Sequence, residues 1–149
     1  MSTTNTTKNT GNAFTINRDL SKIFIWENRY VSAPYNNSAY GSVTLFAGTV
    51  MGRVTATGYI KPTDSTATDG SQLPVGILAD DLIALGSSFQ NVQICNFGDV
   101  AQEQLVFANP TDNLNTTVTF GSGSIRMLDR IHLMGVRLVA TTTMTDYDN

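Results

Sequence analysis

Gly48-Thr49-Val50-Met51-Gly52-Arg53-Val54-Thr55-Ala56-Thr57-Gly58 opens the stretch that decides the fold, and Asp69-Gly70-Ser71-Gln72-Leu73-Pro74-Val75-Gly76-Ile77-Leu78-Ala79-Asp80-Asp81 closes it. The first run alternates. Val50, Val54 and Ala56 fall on one side; Thr49, Met51, Arg53, Thr55 and Thr57 fall on the other. A period of two is that of a half-buried strand. Gly52 interrupts it, and a glycine inside a strand marks a bulge or a close approach of another backbone. Pro62 has no N–H to give to a ladder, so regular pairing is expected to stop near it. Asp69-Gly70 reads as a tight turn, since glycine accepts positive φ at no steric cost. Val75, Ile77 and Leu78 then form a short buried strand that ends in water at Asp80-Asp81. Nothing here has the pattern of an active site; the stretch reads as a small β-scaffold whose surface carries the function.

Composition agrees with that. The chain has 149 residues, the size of one domain, and can bury enough surface to hold a core without disulfides or metals. Only 14% of residues are charged, the formal net charge is -3 and the sequence pI is about 4.8, which argues against binding nucleic acid by phosphate neutralisation. Thr, Asn, Ser and Gly abound while Glu and Lys are scarce, which favours strands and turns over long helices. The single cysteine, Cys95, permits no intrachain disulfide and fits a reducing compartment. No basic region followed by an apolar run opens the chain, and no apolar stretch approaches the roughly 20 residues of a membrane helix. The expectation is a protein made in a cytoplasm, with no membrane partner.

Residues 1–13 are almost wholly Thr, Asn, Ser and Gly and are expected to be disordered when free. Phe14, Ile16, Ile23, Ile25, Trp26 and Tyr30 then bring apolar mass, interleaved with charged residues. A core strand is the preferred reading of this region; a strand at a sheet edge, open to a neighbouring chain, is kept beside it. Trp26 is the candidate interface anchor, because aromatic residues are enriched at hot spots. Ser32 to Ser42 reads as a loop linking an N-terminal extension (1–42) to a domain proper (43–140), with a loose polar tail at 141–149. Within the domain, strands are expected at Asn91–Phe97, Leu105–Phe107 and Thr117–Phe120, a turn at Gly98-Asp99, and a flexible connection at Gly121–Gly123. Ser124 to Met134 is the one good helix, with Ser124 as N-cap, Leu128 and Ile131 on one face and Gly135 as left-handed cap. A last strand follows at Val136–Ala140.

Catalytic and metal chemistry find little support. His132 is the only histidine, with no Gly-x-Ser-x-Gly elbow beside it, and reads as a structural or surface residue. Cys95 lies in an alternating strand and reads as a small buried residue. One Cys and one His rule out a typical structural zinc site within one chain. Asp64, Asp69, Asp80 and Asp81 could gather oxygens for calcium but match no calcium loop, and aspartates beside Gly and Ser, as Asp64 and Asp69 are, usually make turns. The glycines have no dinucleotide or phosphate-loop spacing. No enzyme activity and no cofactor is expected.

Gly-Thr-Val-x-Gly-Arg-Val-Thr-Ala-Thr-Gly from Gly48, a loop with Asp69-Gly70-Ser71, and then Pro74-Val75-Gly76-Ile77-Leu78-Ala79-Asp80-Asp81 resemble the head decoration proteins of tailed bacteriophages, the lambda decoration protein D family. The similarity is strongest over Gly48 to Asp81, continues more weakly to about Ala140, and leaves out the first forty or so residues. It implies a mainly β fold with one short C-terminal helix: a small β-barrel or β-tulip-like domain with a flexible N-terminal arm. It also implies a structural virion protein on the capsid exterior. Such a protein binds as a homotrimer at three-fold and quasi-three-fold positions and docks on the major capsid protein through its arm. On that basis Phe14, Ile16, Ile23, Ile25, Trp26 and Tyr30 are assigned to capsid docking, and Thr49, Met51, Arg53, Asp69 and Gly70 to contacts within the trimer. A head-fibre protein is a further candidate partner. The long region from Phe14 to Gly41 departs from the family pattern and leaves the path of the arm open.

Two rivals stand beside this. A non-catalytic β-domain that binds carbohydrate or seats a head fibre would use Tyr30, Tyr35, Tyr40 and Tyr59 as aromatic platforms. A hydrolase using His132 ranks far behind.

Overall fold

The computed structural model describes residues 20–36, 43–84 and 89–140. Its strands are β1 (Phe24–Asn36), β2 (Val43–Leu45), β3 (Val50–Arg53), β4 (Ile60–Pro62), β5 (Pro74–Leu78), β6 (Leu82–Ala84), β7 (Phe89–Ala101), β8 (Thr117–Phe120) and β9 (Gly123–Arg126). The single α-helix among the described residues, α1 (Met127–Met134), leads into the last strand, β10 (Val136–Val139). The main sheet runs β1-β4-β3-β5-β7-β10, and β1 also pairs with β7. That extra pairing closes five strands into a barrel and leaves β10 attached outside it, parallel to β7. The mainly β fold with one short C-terminal helix is therefore the one the sequence predicts.

Every barrel strand gives a side chain to one cluster: Ala33 and Tyr35 from β1, Ile60, Met51, Leu78, then Val92 and Ile94 from β7. This is the barrel interior. A second cluster lies outside it and contains Val50, Ile77, Cys95 and Val100, covered by Ile131 of α1 and Val136 of β10. Neighbours along β3, β5 and β7 thus point into different cores, and Val50 and Met51 are both fully buried. The half-buried strand expected at Gly48–Gly58 is corrected on two counts. Both faces are covered, and the strand stops at Arg53, where the chain turns through 54–59 and returns as β4. Gly52 is placed as expected. It sits at a register shift between β3 and β5, and a Cβ there would fall inside the Ser71 backbone carbonyl. The regular strand ends at Pro62, with one more bond from Thr63 N–H to the Val50 carbonyl at 2.9 Å.

Other expectations are revised. Residues 24–36, expected in an extension apart from the domain, form one wall of the barrel, because β1 finds its partner in the distant β7. The predicted Gly98-Asp99 turn lies inside the long β7, where Gly98 takes φ 109° against the backbone of Trp26 and Asn28. Leu105–Phe107 makes only an isolated bridge, Val106 to Thr49. Gly121-Ser122 is a tight hairpin turn between β8 and β9, so Ser124 belongs to a strand and does not cap the helix. Arg126 takes the cap position; its guanidinium forks onto Asp129 at 2.9 and 3.1 Å, and Asp129 sits in the first turn where the helix dipole favours a carboxylate. Gly135 closes α1 in the left-handed conformation, as predicted. The 1–13 arm, the rest of the 37–42 loop and the 141–149 tail lie outside the described residues.

Two substitutions test this packing. Ile131→Ala removes the helix's plug from the outer core and is expected to cost about 2–5 kcal/mol in urea unfolding. Gly52→Ala is expected to cost more than the ~1–3 kcal/mol of ordinary overpacking, because the obstacle is backbone. Wild-type midpoints in both variants would sink the two-core description.

Candidate functional site

Among the described residues, four exposed large apolar side chains, Ile25, Trp26, Tyr30 and Val31, lie on the outer half of β1, and Phe97 of β7 stands opposite Arg29 there. There β1 pairs with β7 only, because its contact with β4 is confined to Tyr35 opposite Ile60. Trp26 faces Asp99 and Arg29 faces Phe97, so Glu27 and Asn28 together oppose the single residue Gly98. Two residues against one is a β-bulge, which bends a strand and re-aims its side chains. Glu27 takes φ 50°, the one non-glycine positive φ among the described residues. Asn28 turns inward and donates from Nδ2 to the Asp99 carbonyl at 3.0 Å. Trp26 is left 63% exposed, with Ile25, Tyr30 and Val31 also exposed.

Charged groups frame this surface. The Arg29 guanidinium lies 4.8 Å from the centroid of the exposed Phe97 ring, a cation–π contact. Arg137 of β10 donates to both carboxylate oxygens of Asp99 at 2.7 Å, which holds the Asp99 carboxyl below the usual range. Glu27, Phe97, Gly98, Asp99, Gly135 and Arg137 line a shallow cavity of about 180 Å³. Tyr30 packs edge-on against Phe24, with centroids 5.6 Å apart. Its phenol is pushed up to about 12 by partial burial and then by Cys95 and Asp80, so it stays a neutral donor.

Of the residues assigned to capsid docking, Ile25, Trp26 and Tyr30 come together on this surface. Ile23 does not: it is buried in the outer core. Phe14 and Ile16 lie outside the described residues. Of those assigned to contacts between copies, Thr49 and Met51 are buried in the chain's own interior, which removes them from reach. Arg53 donates to the Gly58 carbonyl at 2.7 Å and braces its own hairpin. Asp69 and Gly70 lie in an adjoining loop, joined to that hairpin by Thr55 N–H donating to the Asp69 carbonyl at 2.8 Å. Phe97 and the Arg29 stack on it escaped the sequence reading. The signal available was the alternation of β7 itself: Phe97 shares the parity of Cys95, which lies outside the barrel, and is opposite to Val92 and Ile94, which fill it.

The rival chemistries fare as follows. Tyr35 is fully buried and offers no glycan platform; Tyr59 leans edge-on against Phe89, and Tyr40 lies outside the described residues. His132 is exposed on α1. Cys95 is buried, and burial pushes its thiol pKa up, away from a nucleophile's. Among the described residues no three His, Cys, Asp or Glu side chains gather as a metal site. Asp81, expected only to end a strand in water, accepts from the Ala47 N–H at 2.7 Å.

The Asp69 loop gives a pH prediction. Lys61 Nζ donates to Asp69 Oδ2 at 2.7 Å while Ser71 bonds Oδ1, and together they hold the carboxyl at about 2, against an ordinary 3.8. A carboxylate with a lowered folded pKa contributes stability that is complete above its unfolded value and is lost as pH falls through the folded one. The contribution of Asp69 is therefore expected to vanish between about pH 4 and pH 2. In Lys61→Met the Asp69 titration, followed by carboxyl carbon NMR, is expected to move up toward 3.8. An unmoved titration would refute the role of Lys61.

No curated protein matches the chain as a relative. The family model described as "Bacteriophage lambda head decoration protein D" matches residues 13–121. The match takes in β1, so it begins well before the expected limit near residue 40; it ends before α1, short of Ala140. Spanning most of the chain and the whole barrel, it shows that this protein belongs to the bacteriophage lambda head decoration protein D family.

Proposed function

We propose that the chain stabilises the expanded phage capsid from its exterior as a homotrimer at three-fold and quasi-three-fold positions, docked on the major capsid protein. Membership of the decoration family supports the capsid role itself. The observation that supports the docking assignment is the exposed cluster of Ile25, Trp26 and Tyr30, which directly follows the N-terminal segment carrying Phe14 and Ile16. An arm that continues into an exposed aromatic strand makes one extended contact surface, and contacts of this kind need few charges. Three copies held together would bind with avidity, because each later arm engages at high effective concentration. The braced corner of Arg53, Asp69 and Gly70 is the proposed contact between copies in the trimer. The protein is made in the host cytoplasm on this proposal, and a head-fibre protein is a second candidate partner.

Co-sedimentation with expanded, undecorated capsids tests it, comparing the full chain, a chain starting at Ala13, and Trp26→Ala. Wild type is expected to bind saturably. Loss of a hot-spot tryptophan is expected to weaken binding by about 2 kcal/mol or more without changing the unfolding midpoint. Truncation to Ala13 separates the share of the arm from that of β1. Absence of any wild-type binding would overturn the proposal.

A further inference from the structure

We propose that the outer edge of β1 around Asn28 is a self-complementary contact between two copies of this chain, in which Glu27 of each copy meets Arg29 of the other. The contact uses none of the residues assigned to the trimer, but Ile25, Trp26 and Tyr30 beside it are those proposed for capsid docking, so a copy paired in this way cannot dock on the capsid through the same surface.

Three observations carry it. The first is that the edge is open. From Phe24 to Pro34, β1 pairs with β7 on one side and with no other strand among the described residues on the other. The second is that two opposite charges on this edge are unsatisfied. Glu27 is exposed and takes no hydrogen bond among the described residues; Arg137, whose charge it feels, is already held by both oxygens of Asp99. Arg29 is exposed and has no carboxylate partner among the described residues, yet the ring of Phe97 holds its guanidinium in place. Such fixing reduces the entropy lost when a carboxylate binds. The third is symmetry. Glu27 and Arg29 stand one residue to either side of Asn28, so a two-fold axis near Asn28 makes the same ion pair twice. An isologous interface requires this kind of self-complementarity.

The surroundings are those of an interface. Ile25, Trp26, Tyr30 and Val31 flank the charges and are exposed. Aromatic residues and arginine are enriched where proteins meet. A charged, bulged edge also occurs as protection against unwanted strand pairing. Protective edges replace apolar side chains with charges, however, whereas this one keeps its tryptophan in water and holds Glu27 in a strained conformation. Backbone strain of this sort clusters at sites of function. A two-fold contact of this kind would pair chains that are not docked on the capsid.

The test is sedimentation equilibrium of the purified full chain over a wide concentration range, at low and high salt, with thermal melts to confirm folding. The variants are Glu27→Arg, Arg29→Glu and the exchange Glu27→Arg/Arg29→Glu. Wild type is expected to show a concentration-dependent doubling of its basal mass. Each single reversal sets like charges together and is expected to weaken that association about tenfold or more, while the exchange restores it to within a few-fold. Should Arg29→Glu fail to fold, Arg29→Gln takes its place and is expected to weaken association less than a reversal. A wild-type mass that stays constant overturns the proposal. So does association that folded single variants retain, or that a folded exchange variant fails to recover. Aggregation that rises on single reversal would overturn it in favour of a protective edge.

Discussion

Strands β3 and β5, and β7 where it pairs with β5, are buried on both faces, and the rest of the structure answers to that constraint. A barrel strand ordinarily buries alternate residues and shows the others to water. Here Val50 and Met51, Ile77 and Leu78, and Ile94 and Cys95 are consecutive pairs buried throughout. The inner members fill the barrel. The outer members need a cover, which Ile131 and Val136 supply from the C-terminal part of the chain, beyond the stretch that matches the family. Doubly covered strands leave room for little besides backbone at their crossings, and Gly52 packed against the Ser71 carbonyl is one result. Cys95 becomes a packing residue for the same reason: its thiol is buried in the outer core, where the thiolate is disfavoured.

What was legible in the sequence follows from the same constraint. Turn chemistry read correctly where it is local, as in the left-handed cap at Gly135 and the end of the regular strand at Pro62. Chain order and spacing over Gly48 to Asp81 were enough to point to the family. Periodicity misled wherever a second layer covers the strand. The alternation over Gly48–Gly58 promised one wet face, but a residue's fate there depends on α1, some 80 positions away. The helix covers Val50, while Met51, which looked like surface, fills the barrel interior, and Thr49 is buried at its bridge to Val106. The helix start was misplaced because Ser124 carries a good capping side chain, and pairing of β9 with β8 overrides that local preference. The membership of β1 in the barrel was hidden for a further reason: ten register pairs join it to a strand some sixty residues downstream, and no local pattern records such a partner.

The double burial also decides where the molecule can meet others. With the outer faces of β3 and β5, and of β7 around Cys95, taken up by the second core, the apolar surface these strands still offer lies on β7, at Phe89 and Phe97. The outer half of β1 is different, because it pairs on one side only and α1 does not reach over it. The bulge at Glu27 and Asn28 completes the difference: Asn28 satisfies the interior through Asp99, and Trp26 and Arg29 remain outside. A chain this poor in charge cannot rely on long-range attraction, since few pairs are available to steer an encounter. On the proposed function its contacts come from placed aromatic surface and from single charges held in position, and the bulged strand carries both. In the chain, Leu20–Lys22 and the buried Ile23 lead into this same strand, which is why the proposed docking surface is placed on it.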